Sequence, residues 1–139
     1  MKVQTVSVGV RTKGECDIVD ITNDVQEAVS ATGVSEGAVH LFVIGSTAAI
    51  TTIEYEPGLV NDIKKVLERL VPKGAGYEHE EAWNDHNGHS HLRASLIGPS
   101  LTVPLVEGRL KLGTWQQIVL IELDTRARER EVVAQAMGE

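Results

Sequence analysis

Residues 101–123 read LTVPLVEGRLKLGTWQQIVLIEL, and the fold turns on how this stretch is divided. Glu107-Gly108 supplies a tight turn and Gly113 a second break, so the run reads as successive antiparallel strands. Ile118 to Ile121 is apolar on both faces, which places it at the centre of a sheet. Downstream, Arg128 to Met137 forms a closing strand. Upstream, Val6, Val8 and Val10 alternate with Thr5, Ser7 and Gly9, the period of a strand with one buried face. DIVDI (17–21) is a second short strand, after a turn at Lys13-Gly14-Glu15. Ala38 to Ile44 is almost continuously apolar, as a central strand requires, and Ile50 to Tyr55 is rich in β-branched residues.

Two segments carry helical spacing. Asn23 and Gln26 resemble a capping box ahead of Val25, Ala28 and Val29, with Gly33 as the stop. Pro57 suits the first position of a helix, and Leu59, Val60, Ile63, Val66, Leu67 and Leu70 share one face before Pro72 and Gly74 end it. Strands outnumber helices and hairpins outnumber crossovers. The expected fold is α+β, a mainly antiparallel sheet with two helices packed against it.

The chain of 139 residues is expected to form one domain, 1–139, with enough core to need no disulfide. Its net charge of −7 argues against a nucleic-acid partner. One cysteine, Cys16, suits a reducing cytoplasm. No apolar run is long enough for a membrane helix, and the first residues alternate as a strand rather than forming a signal peptide.

The chemistry is concentrated in a polar segment. His79 in YEHE is followed by NDHNGHSH (84–91), which holds His86, His89 and His91 among Asp85 and Asn87. Imidazoles are zinc ligands, and a catalytic zinc site keeps three protein ligands and one open position. His89 and His91 can share an ion only on an extended backbone, because on a helix they point about 200° apart. Residues 88–97 fit a strand (His89, His91, Arg93, Ser95 alternating with apolar residues) and a short helix (Asn87 cap, Leu92 and Leu96, Gly98 stop) equally well. His91 survives under both, with His79 reaching in from the preceding loop. The spacing matches no standard zinc-finger or HExxH pattern. His40, within an apolar strand, reads as a structural histidine.

The stretches TAAITTIEYEPG (47–58), YEHE (77–80), 87–122 from NGHSHLRASLIGP to QQIVLIE, and RARER (126–130) together resemble the YjbQ-like family, with LGTWQQ (112–117) the most specific. The resemblance implies a small α+β domain that assembles as a homotrimer around a histidine-lined pocket holding a metal. It also implies a thiamine-phosphate synthase activity of a secondary kind. The family's histidines fall on His79 and His91, with Arg93 after the latter; its acid falls on Glu54 and its GTWQ element on Gly113 to Gln116. One departure stands out: Gly45 in GSTAA occupies the place of a family histidine, so either His89 replaces that ligand or the site binds metal poorly. His86 is incidental, where relatives have glycine.

The expected site is therefore a divalent metal, zinc first and magnesium with a phosphorylated substrate, on His79, His89 and His91. Glu54 or Glu80 would serve as general base, Arg93 as a catalytic and phosphate contact, and Ser46 and Thr47 as substrate-binding hydroxyls. The expected function is that of a metal-binding enzyme on a small phosphorylated substrate. Thiamine-phosphate synthesis, a transferase reaction, is the named candidate; a zinc hydrolase and a non-catalytic small-anion module are the alternatives.

Overall fold

The computed structural model describes residues 1–139. The strands are β1 (Lys2–Arg11), β2 (Ile18–Asp20), β3 (Gly37–Val43), β4 (Ala48–Glu54), β5 (Ser100–Val106), β6 (Arg109–Leu110), β7 (Gln116–Glu122) and β8 (Glu129–Gly138). The helices are α1 (Thr22–Ser30), α2 (Pro57–Leu70), α3 (Glu78–Trp83) and α4 (Gly88–Ile97). Every strand pair is antiparallel, as expected. There are two sheets, however: five strands in the order β1-β8-β3-β5-β6 and three in the order β2-β7-β4.

The division follows from the two-faced apolar run. Ile118 and Leu120 of β7 point into the larger cluster, with Val39, Leu41, Val103, Val132 and Ala134 of the five-stranded sheet. Val119 and Ile121 point the other way, against Leu67 of α2 and Ala94 of α4. The three-stranded sheet is thus a middle layer. Both its faces exclude water, and each fully buried Ile or Leu contributes about 1.5–3 kcal/mol.

The helices number four rather than two. Helix α2 begins at Pro57 as expected, and its cap is Glu56, whose carboxylate accepts from the amides of Gly58 and Leu59. The expected Asn23–Gln26 capping box does not form. Asp20 Oδ1 instead accepts from Thr22 N (3.0 Å), one turn earlier in the chain. Gln26 spans to the β5–β6 hairpin, accepting from Leu110 N (2.9 Å) and donating to Gly108 O (3.0 Å). The other two helices, α3 and α4, lie in the polar histidine-bearing segment and build the candidate site. No helix is long and apolar enough to cross a membrane.

Candidate functional site

Residues 88–97 form a helix, and this decides which histidines meet. At about 100° per residue, His89 and His91 leave α4 on opposite sides. His89 turns inward, 1% exposed, and its Nε2 lies 2.8 Å from Glu15 Oε2. The second carboxylate oxygen of Glu15 accepts from Lys73 Nζ at 2.5 Å. Burial works against the charge on Glu15, but Lys73 and His89 outweigh it and hold its pKa below the ordinary value. His89 is therefore a buttress tying the 13–17 turn to α4. The expected trio of His79, His89 and His91 does not converge.

His91 faces the other way and meets His79 of α3, with ring centroids 4.5 Å apart at 56°. Neither ring nitrogen of His91 has a protein hydrogen-bond partner, whereas His79 Nε2 lies 3.0 Å from the Asn87 side chain and 3.4 Å from Asp85 Oδ1. The two rings border an open cleft of about 450 Å³ whose lining includes Tyr77, Glu78, Gly88 and Leu92 and no Lys or Arg. Two left-handed residues, Asn84 (φ 53°) and His86 (φ 57°), fold the chain back so that Asp85 returns to His79.

Asn87 is the hinge of this group. Its amide has one end beside His79 Nε2 and Asp85, and the other 3.4 Å from Asp124 Oδ1. With the NH2 end forward, it donates to Asp85 (2.8 Å) and His79 Nε2 (3.0 Å) and gives up the hydrogen bond to Asp124. With the oxygen forward, the NH2 donates to Asp124 Oδ1 (3.4 Å) and the oxygen faces His79 Nε2 (3.0 Å), which a proton on that nitrogen or a bound cation would satisfy.

Behind Asn87 lies a buried ionic network that the sequence reading missed. Asp124 accepts from Thr47 Oγ1 (3.1 Å) and Arg128 Nε (3.2 Å). Glu122, fully buried, accepts from Arg130 Nε (2.8 Å) and Thr12 Oγ1 (2.7 Å). Burial raises the cost of charging Asp124, yet the Arg128 guanidinium, the Thr125 amide and the Thr47 hydroxyl pull its pKa from 3.8 to about 2. The available signal was two acids closing an apolar strand, Glu122 and Asp124, followed by Arg128 and Arg130.

The remaining expected residues are placed as follows. Glu80 Oε1 accepts from Gly88 N at 2.6 Å and closes the start of α4, so it is engaged in capping rather than free as a base. Position 88 admits only glycine there, because a Cβ would lie 2.7 Å from that oxygen and 2.8 Å from Tyr77 Cβ. Arg93 is buried; it donates to Val71 O (3.0 Å) and Glu68 (2.7 Å), and it holds α4 to the end of α2 instead of lining the cleft. Glu54 is exposed at the end of β4 and forms no ion pair; Arg128 and Arg130 hold Asp124 and Glu122. Thr47 is buried in the network, and Ser46 beside it is exposed. His40 is satisfied by Thr102 Oγ1 across the strand pair, at 2.9 Å. No three His, Cys, Asp or Glu side chains are grouped so as to hold an ion by themselves. What the fold gathers is two imidazoles, one carboxylate and one amide.

The model of the family described as "UPF0047 protein YjbQ-like" matches residues 6–139. A UPF0047 protein of Methanothermobacter thermautotrophicus is 41% identical over 124 residues, 89% of this chain and 85% of the relative. One of Archaeoglobus fulgidus is 39% identical over 127 residues, 91% and 96% of the two chains. Among solved structures, a YbjQ-like protein of Sulfolobus solfataricus P2 superposes with a TM-score of 0.93 at 36% identity, covering 99% of both chains. A protein of Aeropyrum pernix K1 superposes at 0.91 with 38% identity, over 98% and 99% of the two chains.

Proposed function

This chain belongs to the UPF0047 YjbQ-like family, and from that premise we propose that its His79–His91 cleft binds a divalent metal and acts on a small phosphorylated substrate. The observation that carries the reading is the convergence on Asn87. His79 Nε2 and Asp85 Oδ1 are 3.4 Å apart. Two ligands at about 2.0–2.1 Å from one tetrahedral ion are separated by about 3.3 Å. The Asn87 amide lies 2.8–3.0 Å from both atoms, so its oxygen is within reach of the same ion. His91, with both ring nitrogens free and its ring centroid 4.5 Å from that of His79, would supply the fourth donor. Two nitrogens and two oxygens suit a borderline ion such as zinc better than magnesium, which favours oxygen alone.

A bound divalent ion would supply Lewis acidity towards a phosphoryl oxygen or a water. The chain's own residues position that centre. Asp124 holds the Asn87 amide, Glu80 and Gly88 fix the start of α4, and Glu15 with His89 anchors the same helix from behind. The cleft has no Lys or Arg in its lining, which favours a metal over direct capture of an anion. Thiamine-phosphate synthesis, with loss of pyrophosphate, is one reaction of this class, and phosphate ester hydrolysis is another.

Metal analysis after zinc loading and gel filtration tests the reading. About one ion per chain is expected, lost in His79→Ala and in His91→Ala and retained in His40→Ala. Protein that stays metal-free after loading would overturn it. Complementation of a thiamine auxotroph then separates the two reactions, because rescue that survives His91→Ala at full strength rules out the synthase.

The same reading includes a homotrimer. Trp115 is 73% exposed and Leu96 67% exposed, an exposure that subunit contacts would cover. Light scattering should give three times the 15.1 kDa chain mass; a monomer mass at micromolar concentration contradicts it.

A further inference from the structure

The bend joining β3 to β4 has three successive unpaired backbone donors, while its Thr47 O accepts from Leu123 N (3.0 Å). The backbone N–H groups of Gly45, Ser46 and Thr47 make no hydrogen bond within the protein. Unpaired successive amides are a frequent element of anion sites. Beside them sits Arg130, 8% exposed, whose Nε and Nη2 are taken by Glu122 and Thr47. Its Nη1 has no acceptor and fills the space over Gly45, where a Cβ would lie 2.7 Å from it. Gly45 has φ +125°, a conformation that glycine alone adopts without strain. The absent side chain thus leaves room for this guanidinium nitrogen against the bend.

We infer that the Gly45–Thr47 bend and Arg130 Nη1 form an anion seat for the phosphate of the substrate, an inference that takes its ligand class from the reading above. The guanidinium is pinned by the buried Glu122 carboxylate, so little side-chain entropy is lost on binding. A phosphate offers several acceptor oxygens, enough to meet Nη1, the amides and the exposed Ser46 hydroxyl together. The seat is also linked to the imidazole cleft. Thr47 Oγ1 donates to Asp124 Oδ2 (3.1 Å), while Asn87 Nδ2 reaches Asp124 Oδ1 (3.4 Å). One carboxylate therefore holds a residue of the seat and a residue of the cleft. A substrate phosphate in the seat would direct the rest of a small molecule towards His79 and His91.

The test is an amide and guanidinium NMR titration with inorganic phosphate at constant ionic strength, with chloride as control. It is run on the metal-free protein, on His91→Ala and on Ser46→Glu. Phosphate-specific shifts are expected at Gly45, Ser46, Thr47 and the Arg130 side chain. They should persist in His91→Ala, and the affinity should fall on the order of tenfold or more in Ser46→Glu, where a carboxylate occupies the seat. Because the titration needs no metal, failure to bind metal leaves the seat standing, and failure of the seat leaves the metal result standing. Shifts confined to residues 79–91, or an affinity unchanged in Ser46→Glu, would overturn the proposal. So would the absence of any phosphate-specific shift.

Discussion

Asp124 Oδ1 lies 3.4 Å from one end of the Asn87 amide, whose other end lies 3.0 Å from His79 Nε2. When the NH2 donates to this buried carboxylate, the amide oxygen is left facing His79 and Asp85 at the mouth of the cleft. Outer carboxylates of this kind alter metal affinity by about 10–100-fold. Asp124→Asn should lower zinc affinity by that factor, measured by competition with a chromophoric chelator, while His40→Ala leaves it unchanged. Equal affinity in Asp124→Asn would remove Asp124 from the site.

Acid stability should report the same residue. The folded pKa of Asp124 is about 2, below its ordinary 3.8. A depressed carboxylate contributes stability that is fully present above the unfolded value and is lost as pH falls through the folded one. Glu15, also depressed, adds a contribution of the same sign. Urea unfolding between about pH 4 and pH 2 should show stability falling, with a shallower slope in Asp124→Asn. An unchanged slope would mean that Asp124 is not held in its ionised form by Arg128 and Thr47.

His89 and His91 should separate in their effects. Removing the buried His89 leaves Glu15 short of a partner and opens a cavity, so His89→Ala should cost about 1–3 kcal/mol of stability. The same variant should keep its metal stoichiometry. His91→Ala, at a half-buried position without hydrogen bonds, should lose metal with little change in the unfolding midpoint. The reverse pattern would restore His89 as a ligand.

His86 occupies left-handed backbone at φ 57°. Glycine adopts that region without the penalty of about 1–2 kcal/mol that a side chain incurs, partly offset by glycine's greater freedom when unfolded. His86→Gly should therefore be neutral or raise the unfolding midpoint, with metal binding intact. A clear loss of metal would make His86 a ligand.

The sequence by itself determined the strands, the antiparallel pairing and helix α2, because these rest on periodicity and on Pro and Gly at fixed offsets. The two-faced run at Ile118–Ile121 marked the layer that both clusters share. It did not determine that residues 88–97 are helical, since Leu92, Leu96 and the His89/His91 alternation satisfy both periods over so short a stretch. Only the tertiary structure decided that point, by packing Ala94 against the outer face of β7 and setting Arg93 against the end of α2. Once α4 is a helix, His89 must face Glu15 and His91 must face His79. The buried Asp124 and Glu122 were illegible for a related reason. A charge at the end of an apolar strand reads as a solvent-facing end until the partners that neutralise it, Arg128, Arg130, Thr47 and Thr12, are brought together from three separate parts of the chain.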